Sequence, residues 1–496
     1  MARIAVIGAG MGAMAAAARL AVAGHRVVVY ERTGTYGGAV RRFERDGFSF
    51  DTGPGLLPLP AVWRDLFVKT GKEPLESCVE LVQVDPSSRH VFADGTEVSL
   101  PNASRAGVVA ALDEALGAPA GQRWGDFLVR AREAWDRTRR PLLEEPLWPD
   151  WRVLGEREPY PSVPHKRLLR TRRAGTLAEV GAWELRDARL AALLESHALA
   201  YGLDPRTAPA NTAVLPYMEH AFGMWYVRGG LRELARAVYE RCLARRVGFR
   251  FGTEVTGVVE KDGRVAGVEL AGGEVAEAEF VVAGVAPGVL DRLTGGVAVR
   301  GEGEVLPQRG APSRITVLAA LRGGRPAGTA HRTVVHTADR EGELESLFGA
   351  VPGVPARPTV TVLRPNDPAS VPGPDHEAVV LTSVVPEGAD AGDHAERLLD
   401  VAGRAVPDLR DRLLWHEVRA PADIAAETGA AGGAVPPPAL AAADGRLLHP
   451  GNSTRVTGLF TAGGWSHPGG GLPHAGMSGA LVAGLVVEGP EFRGSQ

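Results

Sequence analysis

A strand, a glycine-rich turn, a helix and a second strand follow one another within the first 31 residues of this 496-residue chain. No other feature restricts the fold as strongly. Residues 4–7 are apolar and mostly β-branched, as in a buried parallel strand. Residues 14–23 are rich in alanine and predict a helix, which Gly24 ends. Residues 25–31 predict a second strand that ends in Glu31. The order therefore predicts a β–α–β unit with parallel strands.

The turn between the first strand and the helix has the composition of a dinucleotide site. Gly8 permits a tight turn, Gly10 lets the backbone approach a pyrophosphate, and the small Ala13 lets the helix pack closely on the strand. Met11 and Gly12 complete the turn that leads into the helix, whose N-terminus presents free N–H groups and a positive dipole end to phosphate. A strand before the turn and a helix after it make the pattern specific.

The acid that ends the second strand narrows the choice of nucleotide. Glu31 lies where a carboxylate would accept hydrogen bonds from both hydroxyls of an adenosine ribose, which disfavours a 2′-phosphate. FAD or NAD therefore fits better than NADP. Arg32 follows directly, and then a second glycine pair, Gly37-Gly38, with Ala39 after it. The pair lets another backbone segment close on the cofactor.

Several blocks resemble flavoproteins of the glutathione-reductase fold, in the branch that contains amine oxidases and carotenoid desaturases. Residues 31–38 and 47–54 resemble that branch, and residues 228–235 are similar to its Gly-Gly helix start. Residues 252–258 resemble a strand whose backbone lies beside the adenine, here at Val255. Residues 457–473 resemble the C-terminal flavin motif in its desaturase form. The resemblance implies FAD as the cofactor. It also implies that the cofactor contacts Gly463, Gly464, Gly471 and Leu472.

The middle of the chain resembles bacterial phytoene-desaturase-like proteins, through residues 53–60, 189–205 and 358–368. This implies an α/β fold: a Rossmann-type, glutathione-reductase-like FAD-binding lobe and a discontinuous α+β substrate lobe. The expected FAD-binding segments are 1–70, 220–290 and 450–496. The expected substrate-binding segments are 71–219 and 291–449. The substrate should lie where the lobes meet.

Two departures from the family pattern concern the site. The family often carries Arg directly after the second glycine pair, where this chain has Ala39; Arg41 or Arg42 could substitute for it. The insert at residues 139–173 is basic and proline-rich and has no clear counterpart, so a phytoene-sized polyene is not assured as the substrate.

The resemblance implies an FAD-dependent oxidoreductase in which the flavin accepts a hydride from an activated C–H of an apolar, isoprenoid or polyene-type substrate. Redox-neutral isomerisation is a variant of the same chemistry. Formation of a C=C bond also needs a base. His467, His474 and Trp465 stand near the expected flavin turn and are the catalytic candidates. Either histidine could instead be a loop residue that bonds the backbone.

Apolar residues near the cofactor blocks are candidates for substrate contact or for the core. The substrate candidates are Leu56, Leu57, Phe222 and Trp225, with Trp63 and Phe67 as further possibilities. Glu219 and His220 either face the substrate lobe or form an exposed pair on a helix.

Composition excludes several other classes of protein. The net charge of −4 and the pI of about 6.4 argue against nucleic acid as a partner. Two cysteines, Cys78 and Cys242, cannot build a disulfide framework or a zinc cluster, and no metal is expected. The sequence shows neither a signal-peptide pattern nor a run of 18 apolar residues, so we expect a cytoplasmic protein. The basic residues 166–173 form either a solvated loop or a peripheral membrane contact.

Two alternatives share the fold. An amine or other small-molecule oxidase would usually have an aromatic pair beside the flavin, and the C-terminal turn offers only Trp465. A non-catalytic escort protein for prenyl chains would not need the complete set of flavin motifs. The oligomeric state stays open.

Overall fold

The computed structural model describes residues 1–167, 170–297, 311–441 and 445–494. Its strands are β1 (Arg3–Ile7), β2 (Arg26–Glu31), β3 (Arg42–Arg45), β4 (Phe48–Asp51), β5 (Leu57–Pro58), β6 (Leu81–Gln83), β7 (Ser88–Val91), β8 (Glu97–Leu100), β9 (His165–Arg167), β10 (Arg170–Arg172), β11 (Met224–Val227), β12 (Gly248–Phe251), β13 (Val255–Lys261), β14 (Arg264–Leu270), β15 (Val275–Glu277), β16 (Phe280–Ala283), β17 (Ser313–Arg322), β18 (Arg332–Val335), β19 (Val360–Leu363), β20 (His376–Val385), β21 (Leu413–Arg419) and β22 (Leu459–Thr461).

The α-helices are α1 (Met11–Val22), α2 (Ala61–Gly71), α3 (Arg105–Leu116), α4 (Ala120–Arg139), α5 (Val153–Glu156), α6 (Leu177–Val180), α7 (Ala188–Ala200), α8 (Val214–Phe222), α9 (Leu231–Ala244), α10 (Pro287–Leu293), α11 (Arg340–Phe348), α12 (His394–Ala402), α13 (Leu409–Arg412), α14 (Pro421–Thr428) and α15 (Leu472–Glu488).

The first sheet is parallel throughout, in the order β12-β2-β1-β16-β22. Its strands are apolar because both faces are covered. Helices α1, α9 and α15 cover one face, where Val6 and Val29 pack against Met14, Leu234 and Val482. The antiparallel strands β13, β14 and β15 cover the other face. The predicted α/β fold with a Rossmann-type lobe is therefore confirmed.

The second large sheet has the order β21-β17-β20-β19-β18-β7-β8 and is antiparallel except between β18 and β7. One face is apolar: Val317, Val362 and Leu381 pack against Leu398 and Leu399 of α12. The opposite face is mixed and carries charged and hydroxyl side chains beside apolar ones. Helices α3, α4, α7 and α8 form a separate apolar cluster next to this sheet.

The first sheet takes strands from both ends of the chain, whereas the second takes all but β7 and β8 from residues 313–419. A small sheet, β5-β11-β6, joins segments that the sequence assigns to different lobes. Strand β6 lies after residue 70, in a predicted substrate-binding segment, but it pairs with β11 in a predicted FAD-binding segment. The lobe boundaries themselves stay a prediction.

Cys78 and Cys242 are free thiols. No helix in the described part of the chain has both the length and the apolar character needed to cross a bilayer.

Candidate cofactor and active site

The turn after β1 has the tight geometry that its glycines predict. Gly8 has a φ of +88°, and its N–H donates to the carbonyl of Tyr30 on β2 at 2.8 Å. A Cβ at Gly8 would lie 3.0 Å from the carbonyl oxygen of Gly284, so the position requires glycine. A Cβ at Gly284 would in turn lie 2.7 Å from Cβ of Ala13, which explains the small residue at position 13.

The start of α1 has the properties of a phosphate site. The first i→i−4 bond of α1 runs from Met14 N–H to the carbonyl of Gly10, at 2.9 Å. The N–H groups of Met11, Gly12 and Ala13 precede it and form the donor end of the helix. A Cβ at Gly10 would meet no protein atom within 4 Å, so a phosphate has room to approach the backbone. These residues fit a dinucleotide pyrophosphate.

Glu31 ends β2 with its carboxylate turned towards this loop. The side chain is 8% exposed and accepts hydrogen bonds from Ala9 N–H, Thr33 N–H and Thr33 Oγ1, each at 2.8 Å. Each carboxylate oxygen has further acceptor capacity, so ribose hydroxyls can still bind. Val255 begins β13 nearby, since Thr253 N–H donates to the carbonyl of Glu31 at 2.9 Å. Arg32 instead donates to the carbonyl of Ala426 on α14.

The second glycine pair lies directly against the first turn. Gly37 N–H donates to the carbonyl of Ala9 at 2.8 Å, and a Cβ at Gly38 would lie 3.0 Å from Cα of Gly10. The structure thus brings together the two glycine motifs that the sequence identified. Ala39 is exposed beside them.

Of the two arginines considered as substitutes at Ala39, only Arg41 lies at the glycine pair. Its Nε donates to the carbonyl of Gly38 at 2.9 Å. Arg42 pairs with Glu233 at 2.8 Å instead. Sequence reasoning missed Arg232 of α9, whose guanidinium lies 3.9 Å from the ring centre of Tyr36 and donates to the carbonyl of Val40 at 3.1 Å.

The C-terminal motif meets the first helix at a close crossing. A Cβ at Gly12 would lie 2.8 Å from Cα of Gly463 and 2.8 Å from the carbonyl oxygen of Ala475. A Cβ at Gly479 would lie 2.5 Å from the carbonyl oxygen of Gly12. The glycines let α1 and α15 approach backbone to backbone, so their N-termini converge on one region. Gly464 follows Gly463, and a Cβ there would lie 2.8 Å from Cγ of Pro436.

The N-terminus of α15 also presents free donors. Gly471 is its N-cap with a φ of +106°, and the first intrahelical bond runs from Ala475 N–H to the carbonyl of Gly471 at 2.9 Å. The N–H groups of Leu472 and His474 precede that bond. Such a terminus stabilises negative charge on a ligand.

A buried polar network that the sequence analysis did not identify holds the flavin turn. Asn452 Nδ2 donates to the carbonyls of Thr461 (3.1 Å) and His467 (2.8 Å) and to Ser478 Oγ (3.1 Å). Gly463 N–H donates to the same hydroxyl at 3.0 Å. Polar residues near a glycine motif were the only sequence signal for this network.

The two candidate histidines have different surroundings. His467 is fully buried and its Nε2 donates to the carbonyl of Glu145 at 2.9 Å, which is the bonding of a structural loop histidine. Burial lowers the pKa of His467 to about 4. His474 is 6% exposed, and burial lowers its pKa to about 3, so its imidazole is neutral. Its Nδ1 has no hydrogen-bond partner among the described residues. Trp465 is partly buried in the same turn.

The four substrate candidates lie around β5 and β11. Leu57 and Trp225 are cross-strand partners, and Trp225 Nε1 donates to the carbonyl of Phe222 at 3.0 Å. Phe222 is 36% exposed. Leu56 packs in a small apolar cluster, which also contains Val84, Met224 and Tyr226. Leu57 is completely enclosed, and so is Trp63, while Phe67 is 1% exposed; this is the packing of core residues.

Glu219 faces the interior and is not part of an exposed pair. Its two carboxylate oxygens accept from Arg332 of β18 at 3.1 and 2.6 Å. Burial opposes ionisation, but the positive charge of Arg332 lowers the pKa of Glu219 well below its usual range. His220 is partly buried, and burial lowers its pKa.

Comparison with known proteins identifies the family of the chain. Residues 14–487 match the family of flavin containing amine oxidoreductases. The 4,4'-diapolycopene oxygenase of Methylomonas sp is 28% identical, with 98% of each chain covered. The hydroxyneurosporene desaturase of Rhodobacter capsulatus is 29% identical, with 97% of this chain and 96% of that protein covered.

Solved structures show the same fold. An oxidoreductase from Methanosarcina mazei superposes with a TM-score of 0.64 at 17% identity, covering 97% of this chain and 99% of that one. The family match and the two relatives confirm the resemblance to carotenoid desaturases, and the protein is an oxidoreductase with a flavin cofactor. The chain belongs to the flavin containing amine oxidoreductase family.

Proposed function

We propose that this protein is an FAD-dependent oxidoreductase that removes a hydride from an activated C–H of an apolar isoprenoid or polyene chain. The observation that carries the proposal is the convergence of two free helix N-termini, those of α1 and α15, where Gly12 meets Gly463 and Ala475. A dinucleotide that carries a pyrophosphate at one site and a flavin ring at another needs such a pair.

The residues of each segment would hold a different part of FAD. The backbone from Gly8 to Ala13, with Gly37 and Gly38, would bind the pyrophosphate, and Glu31 the ribose. Val255 would lie beside the adenine. At the other end, the backbone at Gly463 and Gly464 and the N–H of Leu472 after Gly471 would bind the flavin. When bound, FAD supplies the hydride acceptor.

The chain's own groups would position the substrate and accept a proton. The names of the two relatives given above refer to a carotenoid-type polyene, which supports an apolar substrate here. Phe222 and Trp225 offer apolar surface for it. His474 has an unpartnered Nδ1 at the start of α15 and would be the proton acceptor when a C=C bond forms. Isomerisation without net oxidation would use the same groups.

The test is reconstitution with FAD followed by anaerobic reduction. Oxidised flavin bands at roughly 370 and 450 nm should appear in the purified protein, since they are characteristic of the cofactor. A polyene should bleach them under anaerobic conditions, and an amine such as putrescine should not. Failure to bind FAD would contradict the proposal, and bleaching by the amine alone would identify an amine oxidase.

We also propose that the protein works in the cytoplasm against a membrane surface, through the hairpin β9–β10. Lys166 and Arg172 are exposed there, and Arg172 lies 5.7 Å above the ring of Trp183. Residues 168–169 of the basic cluster lie outside the described part of the chain.

Flotation with phosphatidylserine vesicles tests this proposal. Lys166→Gln with Arg172→Gln should abolish flotation, whereas Lys69→Gln with Lys72→Gln, an equal loss of exposed charge at the C-terminal end of α2, should leave it unchanged. Equal flotation of both variants would contradict the proposal.

A further inference from the structure

Two polar side chains converge on the start of α15. Tyr201, the C-terminal cap residue of α7, lies over Gly471: a Cβ at Gly471 would be 3.7 Å from the Tyr201 ring and 4.0 Å from its hydroxyl. The same point would be 3.2 Å from Nδ1 of His474. Because Gly471 has no side chain, both polar groups face the N-terminus at which the flavin is expected.

Neither group has a protein partner in the described part of the chain. His474 Nδ1 is buried without a hydrogen-bond partner, and the hydroxyl of the partly buried Tyr201 takes part in no hydrogen bond in the described part of the chain. Buried polar groups of native proteins are nearly always hydrogen-bonded, so the buried nitrogen of His474, with a free phenol beside it, indicates a ligand that completes both groups.

A charged cluster continues the polar surface behind Tyr201. Glu219 binds Arg332 through both oxygens, and Nε2 of His197 lies 3.6 Å from the same carboxylate. The side chains of Glu219 and Arg332 are 19% and 16% exposed, so they border accessible space. Burial and the negative charge of Glu219 raise the pKa of Tyr201 to about 12. Its phenol therefore stays protonated at neutral pH and is a hydrogen-bond donor.

The mixed face of the second large sheet lies next to this cluster. Arg314 of β17 donates to the carbonyl of Ala200, directly before Tyr201, at 2.6 Å. Thr316 and Thr382 share this face, with their hydroxyl oxygens 3.3 Å apart. A hydrocarbon pressed against these groups would remove their water and return no hydrogen bond, which is unfavourable. An oxygen atom on the ligand would avoid that cost.

We propose that Tyr201 positions the substrate by donating a hydrogen bond to an oxygen atom, a hydroxyl above all, that an otherwise apolar isoprenoid chain carries. His474 Nδ1 would accept the hydrogen of that hydroxyl. This inference rests on the proposed function and narrows its substrate class to oxygen-bearing isoprenoids. Tyr201 is a positioning residue in this scheme, and FAD binding does not depend on it.

Two probes that differ only in the oxygen test the inference. Geranylgeraniol and the hydrocarbon of the same skeleton without the hydroxyl are titrated into the FAD-loaded protein, and perturbation of the flavin absorption reports binding. The hydrogen bond from Tyr201 by itself predicts that the wild type prefers the alcohol at least about 5-fold. Tyr201→Phe should lower that preference about 5-fold, with FAD affinity unchanged. Tyr217→Phe is the matched control, because Tyr217 packs against Trp135 on α4 instead, and it should keep the preference.

Each other outcome has a definite meaning. Equal affinity of the wild type for both probes, including no detectable binding of either, would overturn the inference. So would a Tyr201→Phe variant that keeps the preference or that loses FAD affinity instead. Failure of the wild type to take up FAD would remove the proposed function as well, whereas FAD uptake without a preference for the alcohol would contradict only this inference.

Discussion

Gly8 and Gly10 are both glycines of the same turn, yet they are required for different reasons. Gly8 combines a φ of +88° with a neighbouring carbonyl oxygen that a Cβ would touch, so the fold itself depends on it. Gly10 has an ordinary φ of −70°, and a Cβ there would meet no protein atom within 4 Å. The fold tolerates a side chain at Gly10, and only the cofactor would not.

We therefore expect Gly10→Ala to separate cofactor binding from stability. The added methyl group occupies the space into which a pyrophosphate must come, so FAD should bind at least about 10-fold more weakly. The melting temperature without FAD should change by less than about 2 °C, because helix α1 keeps its geometry. Flavin fluorescence titration and calorimetry measure the two quantities. Gly288→Ala, at another position with no neighbour within 4 Å, should leave FAD affinity unchanged; unaltered FAD affinity in Gly10→Ala would contradict the assignment.

Glu343 on α11 should make stability depend on pH. It is buried and accepts a 2.8 Å hydrogen bond from Thr359 Oγ1, and burial raises its pKa from 4.5 to about 7. The folded state therefore binds a proton that the unfolded state has lost between these two values. Stability should fall as pH rises from about 4.5 to about 7, by on the order of 3 kcal/mol. Denaturant unfolding at several pH values measures the fall, and Glu343→Gln should reduce it. If exposed Glu341→Gln reduced it equally, the assignment to Glu343 would be wrong.

At the scale of elements, the crossing of α1 and α15 joins the two halves of the site. Gly12 and Gly479 allow the approach, since a Cβ at Gly479 would lie 2.5 Å from the carbonyl oxygen of Gly12 and 2.8 Å from Cβ of Ala15. The same crossing places Gly463 against the first turn of α1. Helix packing at this point therefore sets the spacing between the two N-termini.

Gly479→Ala should push the two helices apart. Overpacking of this kind typically costs about 1–3 kcal/mol, and FAD affinity should fall too because the two N-termini no longer keep their spacing. Gly288→Ala is the control, since added Cβ in a helix with free space usually stabilises by about 0.5–1 kcal/mol. Chemical denaturation and FAD titration test both variants. A Gly479→Ala protein as stable as the wild type would show that the helices cross less closely than described.

At the scale of the whole molecule, FAD would contact segments from both ends of the chain. Binding to the native state alone should stabilise it, by about 2.7 kcal/mol at a concentration 100 times the dissociation constant. Removal of FAD should therefore lower the melting temperature. It should also increase hydrogen exchange in residues 463–476 as well as in 8–13, because one ligand joins them. Residues 394–402 of α12, which pack on the far face of the second sheet, serve as the internal control and should not respond. Altered exchange in the N-terminal segment alone would contradict the placement of the C-terminal motif.

The sequence by itself determined the first turn of this protein. Gly8, Gly10, Ala13 and Glu31 act through dihedral preference, helix ends and strand periodicity, which operate over a few residues and can be read without a partner. The C-terminal flavin motif was identified by resemblance, and the structure then placed it beside Gly12.

Only the tertiary structure decided which distant side chains meet. It placed Arg41 instead of Arg42 at Gly38, turned Glu219 inward onto Arg332, and set His467 on the carbonyl of Glu145. It also brought Tyr201 over Gly471, a contact that the resemblance of residues 189–205 does not reveal. Such contacts depend on how two sheets and their covering helices pack, and a packing arrangement is a property of the whole chain that no short segment encodes.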